Sequence, residues 1–87
     1  MSPLLAVQAE SAYATAARLA PDRVVGMDIY SSVLWHLRRE STLSYLAHRL
    51  AADAPMAPET WVVAGNCFSL QKEHDQAIKF FERAIQV

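Results

Sequence analysis

Three stretches of this chain carry the same pattern at a spacing of 34 residues, and few folds accommodate such a repeat. Ala9, Leu43 and Ala77 occupy one position of the pattern. Tyr13, Ala47 and Phe81 stand four residues further on, and Ala16, Leu50 and Ala84 three beyond that. Pro21 and Pro55 close the first two copies. Upstream of the last copy, Trp61, Ala64, Gly65 and Phe68 add a bulky, small, small, aromatic series at helical steps. A period of this length is one supersecondary unit that cannot bury its apolar face alone and stacks on copies of itself.

The series Trp61, Ala64, Gly65, Phe68, Ala77, Phe81, Ala84 resembles the tetratricopeptide (TPR) repeat. That resemblance implies an all-α fold of helical hairpins, here a fragment of a right-handed α-α superhelix. Residues 1–22 are then the second helix of a preceding repeat, 23–56 a divergent repeat, and 57–87 a repeat without its closing linker. Two antiparallel helices joined by a short turn approach closely only where small side chains meet. Gly65 and Ala77 supply that crossing, with Phe68 and Phe81 filling either side and Trp61 covering the base. The middle repeat has Met27 for the Trp, Ser31 for the Gly and Leu43 for the Ala, so its helices are expected to sit slightly farther apart.

Composition narrows the function. The 87 residues are 53% hydrophobic, rich for so small a chain and in keeping with a unit covered by neighbours at both ends. A net charge of −1 and no basic block argue against a nucleic-acid surface; the one basic pair, Arg38-Arg39, runs straight into Glu40. No apolar run approaches the roughly 20 residues of a membrane span. The short patch Leu4-Leu5-Ala6-Val7 lacks the basic flank of a signal peptide. The single cysteine, Cys67, sits in an apolar helix body and is expected as a buried thiol.

Periodicity and breakers predict five helices. The first runs from Pro3 to Leu19, with Leu5, Ala9, Ala12, Tyr13, Ala16 and Ala17 on its packed face. The second spans Val24 to Arg38 with a stripe of Met27, Tyr30, Leu34 and Leu37. Glu40 to Thr42 is expected as a tight turn, Ser41 or Thr42 capping a third helix that carries Leu43, Leu46, Ala47 and Leu50 to about Ala52. Pro58 opens a fourth helix to Gln71. Lys72 to His74 turns the chain into a fifth, whose Phe80 and Ile85 are expected to lie exposed for a following repeat to cover.

Two runs depart from the generic repeat. One is Gly26-Met27-Asp28-Ile29-Tyr30-Ser31 with Leu34-Trp35-His36-Leu37. The other is Gly65-Asn66-Cys67-Phe68-Ser69-Leu70-Gln71-Lys72-Glu73-His74-Asp75, continued by Ala77-Ile78-Lys79-Phe80-Phe81. Both resemble the TPR subunit of the anaphase-promoting complex (cyclosome) called subunit three, or cell-division-cycle twenty-seven, over residues 20–87. The resemblance implies a non-catalytic subunit of a nuclear ubiquitin ligase that acts in mitosis, without cofactor. Its implied partners are other subunits of the complex, adjacent repeats, and activator proteins with C-terminal Ile-Arg tails. Neither nucleic acid nor membrane is implied.

In TPR arrays the first helix of each repeat lines a concave wall. Its exposed positions are here Glu59, Val62, Asn66, Ser69 and Leu70, and Val25, Asp28, Ser32, Trp35 and His36. Asn66 has the groups to bond a peptide backbone or a terminal carboxylate, and equally to bond within the scaffold. Asp28 and Glu59 suit a guanidinium or a solvated surface. Trp35 suits a ligand platform or a contact with a neighbouring repeat.

Catalytic and metal readings are weak. His36, His48 and His74 lack a Cys-x-x-Cys partner, no nucleophile shares a pocket with His74-Asp75, and two glycines make no phosphate loop. The alternatives that remain are a general TPR adaptor of the co-chaperone type and the helical appendage of an enzyme such as a glycosyltransferase. A chaperone-tail clamp needs Lys and Arg on the concave wall, and the frame positions above contain neither.

Overall fold

The computed structural model describes residues 1–86, so Val87, the last residue of the third segment, lies outside it. Five helices follow in order: α1 (Pro3–Leu19), α2 (Met27–His36), α3 (Glu40–Asp53), α4 (Pro58–Leu70) and α5 (His74–Gln86). Among the described residues there is no strand. No described helix is long and apolar enough to cross a membrane. Helix α4 is central and packs on α2, α3 and α5, while α1 touches only α2. The core is shared by α2, α3 and α4: Met27, Tyr30, Leu34, Leu43, Leu46, Ala47, Leu50, Val63 and Cys67.

The repeat is written into the backbone as well as the side chains. Arg38 and Lys72 both take the left-handed conformation, with φ of 57° and 67°. Beyond each, a six-to-one hydrogen bond closes the helix, Arg39 N–H donating to Leu34 and Glu73 N–H to Phe68, both at 2.9 Å. This is a Schellman stop built without glycine. It moves the first turn to residues 37–39, ahead of the Glu40–Thr42 expected from polarity. Glu40 is already helical, and neither Ser41 nor Thr42 caps α3. Helix α2 also starts later than expected, at Met27, because Gly26 (φ 87°) reverses the chain first. A side chain there would be strained.

Helix α1 begins as expected, Ser2 Oγ accepting from Leu5 N–H at 3.2 Å and Pro3 filling the first turn. Its packed face is narrower than the expected one, with Ala9, Tyr13, Ala16 and Ala17 half-buried. Ala6 is buried, whereas Leu5 is 59% exposed and Ala12 faces solvent. With only α2 to rest on, α1 covers it through small residues, and a leucine finds nothing to pack against. Tyr13 stacks on Tyr30 (centroids 5.6 Å apart), and Glu10 accepts from Arg39 at 2.8 and 3.2 Å. Arg39 of that pair stands about half exposed, so solvent screens the attraction and its contribution to stability is small.

The two complete hairpins differ as their sequences imply. α4 and α5 share the most extensive contact in the molecule, and α2 and α3 a much smaller one. Gly65 is the reason in the last hairpin: the Phe81 ring lies over it, and a Cβ there would stand 2.8 Å from Phe81 Cζ. Ala77, one turn before Phe81, is 3% exposed. In the middle hairpin the fully buried Leu43 occupies the place of Ala77.

Several contacts lie beyond the sequence pattern. Phe80, expected to be exposed, is half-buried, its ring stacked at 5.8 Å from Trp61 and 5.2 Å from Phe68. Arg83 completes the layer 3.9 Å above Trp61. Ile85 does remain 85% exposed. In the last repeat Trp61 Nε1 donates to the Pro55 carbonyl at 2.8 Å. The equivalent Met27 has no donor, and Arg49 instead donates to the equivalent carbonyl, that of Pro21. The two repeats thus supply a donor to the same carbonyl position from different helices.

Cys67 is 6% exposed, as its setting predicts. Burial, and then the charge of Glu40, push its thiol above the ordinary 9.0, against a weaker lowering by a bond to Ser44. Burial likewise raises Tyr30 above 10.0, with Glu10 adding to the rise and Arg49 opposing it. Both groups are neutral in the fold and ionise at lower pH in the unfolded chain. Their stabilisation is therefore complete below about pH 9 and lost as pH climbs through the raised values. Melting temperature is expected to hold steady from pH 6 to 8 and fall above 9, and Cys67 to resist a thiol reagent at pH 8 until the chain opens. Rapid labelling of the native chain would contradict this burial.

Candidate peptide-docking face

Helices α2 and α4 lie side by side, and several residues meet their counterparts 34 positions away. Ser32 and Asn66 approach to 3.5 Å, Trp35 and His36 share a groove with Ser69 and Leu70, and Asp28 shares one with Glu59 and Val62. The wall read from the repeat frame is thus assembled by the fold, with one exception. Val25 precedes α2, is 66% exposed, and lies with Ala12, Tyr13 and Ala16 on the side of α1.

The wall has two ends. At the N-terminal ends of α2 and α4, Asp28, Pro58, Glu59 and Val62 face Phe81, Ala84 and Ile85 of α5 across a groove of about 530 Å³. Two carboxylates stand here beside apolar surface. Among the described residues neither Asp28 nor Glu59 forms an ion pair. At the other end Trp35, 42% exposed, and His36 face Ser69 and Leu70. Arg38 and Lys72 close that end. They were missed in the sequence because the helical frame stops before the turns that carry them. His36 Nε2 also lies 3.2 Å from the Met1 carbonyl oxygen.

Asn66 sits between the two ends. Its amide nitrogen donates to Ser31 Oγ at 2.8 Å, and that buried hydroxyl donates on to the Asp28 carbonyl at 2.6 Å. The serine that replaces the repeat's glycine therefore anchors the next repeat's asparagine. This orients the Asn66 oxygen as the free acceptor, so the residue is suited to receive a peptide N–H. The two-way bonding expected from its residue type is reduced to one.

A wall of paired first helices, closed by Schellman turns and backed by second helices, defines an all-α tetratricopeptide array of helical hairpins. No protein-family model matches the chain. Individual proteins do. The chain is 53% identical over 81 residues to the human cell division cycle protein 27 homolog, covering 93% of this chain and 10% of that protein. It is 44% identical over 80 residues to anaphase-promoting complex subunit 3 of Dictyostelium discoideum, covering 92% of this chain and 8% of that one. To the subunit 3 of Schizosaccharomyces pombe it is 51% identical over 69 residues, 79% of this chain and 10% of that one. The chain is homologous to a segment of the cell division cycle protein 27 and anaphase-promoting complex subunit 3 family. It spans about a tenth of the length of the curated relatives it matches.

Proposed function

We propose that the chain is part of a non-catalytic TPR scaffold of the anaphase-promoting complex, a nuclear ubiquitin ligase of the cell cycle, and that its wall receives activator tails ending in Ile-Arg. The relatives' names support membership of the complex, and the wall's acidic, apolar end supports the docking. Asp28 and Glu59 take the guanidinium, Val62, Phe81, Ala84 and Ile85 take the isoleucine, and the Asn66 oxygen accepts a backbone N–H. Ser69 and Trp35 lie further along the path of the peptide. Adjacent repeats and other subunits of the complex cover the ends of the array.

The observation that carries this reading is the pair of unpaired carboxylates beside an apolar groove, one from each repeat. A charge-assisted bond to each carboxylate makes the guanidinium the main source of specificity. Titration of the chain with a peptide ending in Ile-Arg tests it. Joint replacement Asp28→Asn and Glu59→Gln is expected to weaken binding about tenfold, and Asn66→Ala about threefold to fivefold, each with helicity kept. A peptide ending in Ile-Gln should bind the unaltered chain as weakly as the Ile-Arg peptide binds the double variant. Equal affinity of the two peptides for the unaltered chain would refute the assignment.

A further inference from the structure

The opposite end of the wall has a charge of its own. Its groove is lined by Trp35, His36, Arg38, Ser69, Leu70 and Lys72, with a volume of about 190 Å³, room for a side chain. No acidic residue lines it, and among the described residues neither Arg38 nor Lys72 forms an ion pair, in contrast to the neighbouring Arg39. The matching left-handed turns place the two cations in equivalent positions 34 residues apart.

Cations at helix ends often do no more than offset the helix dipole. The α2 and α4 C-termini supply about half a negative charge each, roughly one in sum. Their last-turn carbonyls are already engaged by the Schellman bonds. Arg38 and Lys72 bring two positive charges, leaving an excess of about one beside an exposed indole. The far end of the same wall is acidic, so a continuous polyanion such as nucleic acid would be repelled by Asp28 and Glu59.

We propose that this groove binds an acidic peptide side chain, an aspartate or glutamate held between Arg38 and Lys72, with the next apolar residue of the peptide resting on Trp35 and Leu70. The site is separate from the Ile-Arg groove. A partner long enough to span both would lie on the wall in one direction only, its carboxylate against the turns and its arginine against Asp28 and Glu59.

The test is an amide-shift titration of the chain, followed at Ser69 and Leu70. The probe is an acetylated, amidated peptide Gly-Glu-Glu-Leu-Gly, compared with its Gln-Gln counterpart; neither has an arginine or a free carboxyl terminus. The Glu peptide is expected to bind about fivefold more tightly than the Gln peptide in low salt. That preference should shrink toward unity in 0.5 M salt. It should vanish in Arg38→Asn with Lys72→Asn, a pair chosen because asparagine tolerates the left-handed turn. Asn66→Ala should leave it intact. Equal binding of the two peptides in low salt, or a preference that survives either high salt or the double replacement, would overturn the proposal. The Ile-Arg reading is untouched by either result.

Discussion

Gly65→Leu is expected to detach α5 from the rest of the molecule. The Phe81 ring lies where any side chain on residue 65 must go, and Gly65 is itself buried. A leucine gains about 1 kcal/mol of helix propensity over glycine. It loses more by overpacking, typically 1–3 kcal/mol for a few methylenes and more where a ring must leave. Because α5 rests on α4 alone, the strain has one cheap release, the undocking of the last hairpin. We expect a net loss of about 3 kcal/mol, a fall in melting temperature on the order of 15 °C, and helicity lost mainly from α5. The diagnostic is a double-mutant cycle with Phe81→Ala. Removing the ring should recover at least about 1 kcal/mol of the Gly65→Leu loss. Additive losses would mean that the two residues do not meet.

Leu43→Ala is the second large effect, and it runs against the repeat pattern. Alanine is what this position carries in the last repeat, as Ala77, so a pattern-based reading would call the change an improvement. The structure argues otherwise. Leu43 is fully buried and belongs to the core made by α2, α3 and α4. Alanine would leave a cavity in that core unless α3 moved in toward α2. Leucine-to-alanine losses at such sites run at about 2–5 kcal/mol. For a domain whose whole stability is on the order of 5–10 kcal/mol, that is a loss seen clearly in a urea titration. A gain in stability would show that the middle hairpin closes as tightly as the last one.

These two positions show what the sequence made legible. The 34-residue period located all five helices, because the period is imposed by packing and packing is recorded in apolar and small residues. It placed α4 correctly at its start, where Pro58 marks the first turn. It misplaced the turn after α2 because Arg38 adopts a left-handed conformation with no glycine or asparagine to announce it. The packed face of α1 was misjudged at Leu5, since a helix with a single neighbour buries only a narrow stripe.

The wall shows the same division. Asp28, Glu59, Val62, Asn66, Ser69 and Trp35 are brought to one face because the frame that indexes them is the helix period itself. Val25 is not, because the chain is not yet helical there. The Ser31–Asn66 bond had no local signal: it joins residues 35 apart whose types are ordinary in loops and helices alike. Phe80 looked like surface because aromatic stacking across helices leaves no periodic trace on α5 alone.

The central claim is that the paired first helices form the face that holds a partner's tail. The most direct measurement is a map of backbone amide shifts in the chain on titration with a peptide ending in Ile-Arg. Shifts are expected to concentrate at Asp28, Ser32, Glu59, Val62 and Asn66, with Ala47, His48 and Ala51 of α3 unmoved. Shifts confined to α3 and the outer side of α5 would contradict it.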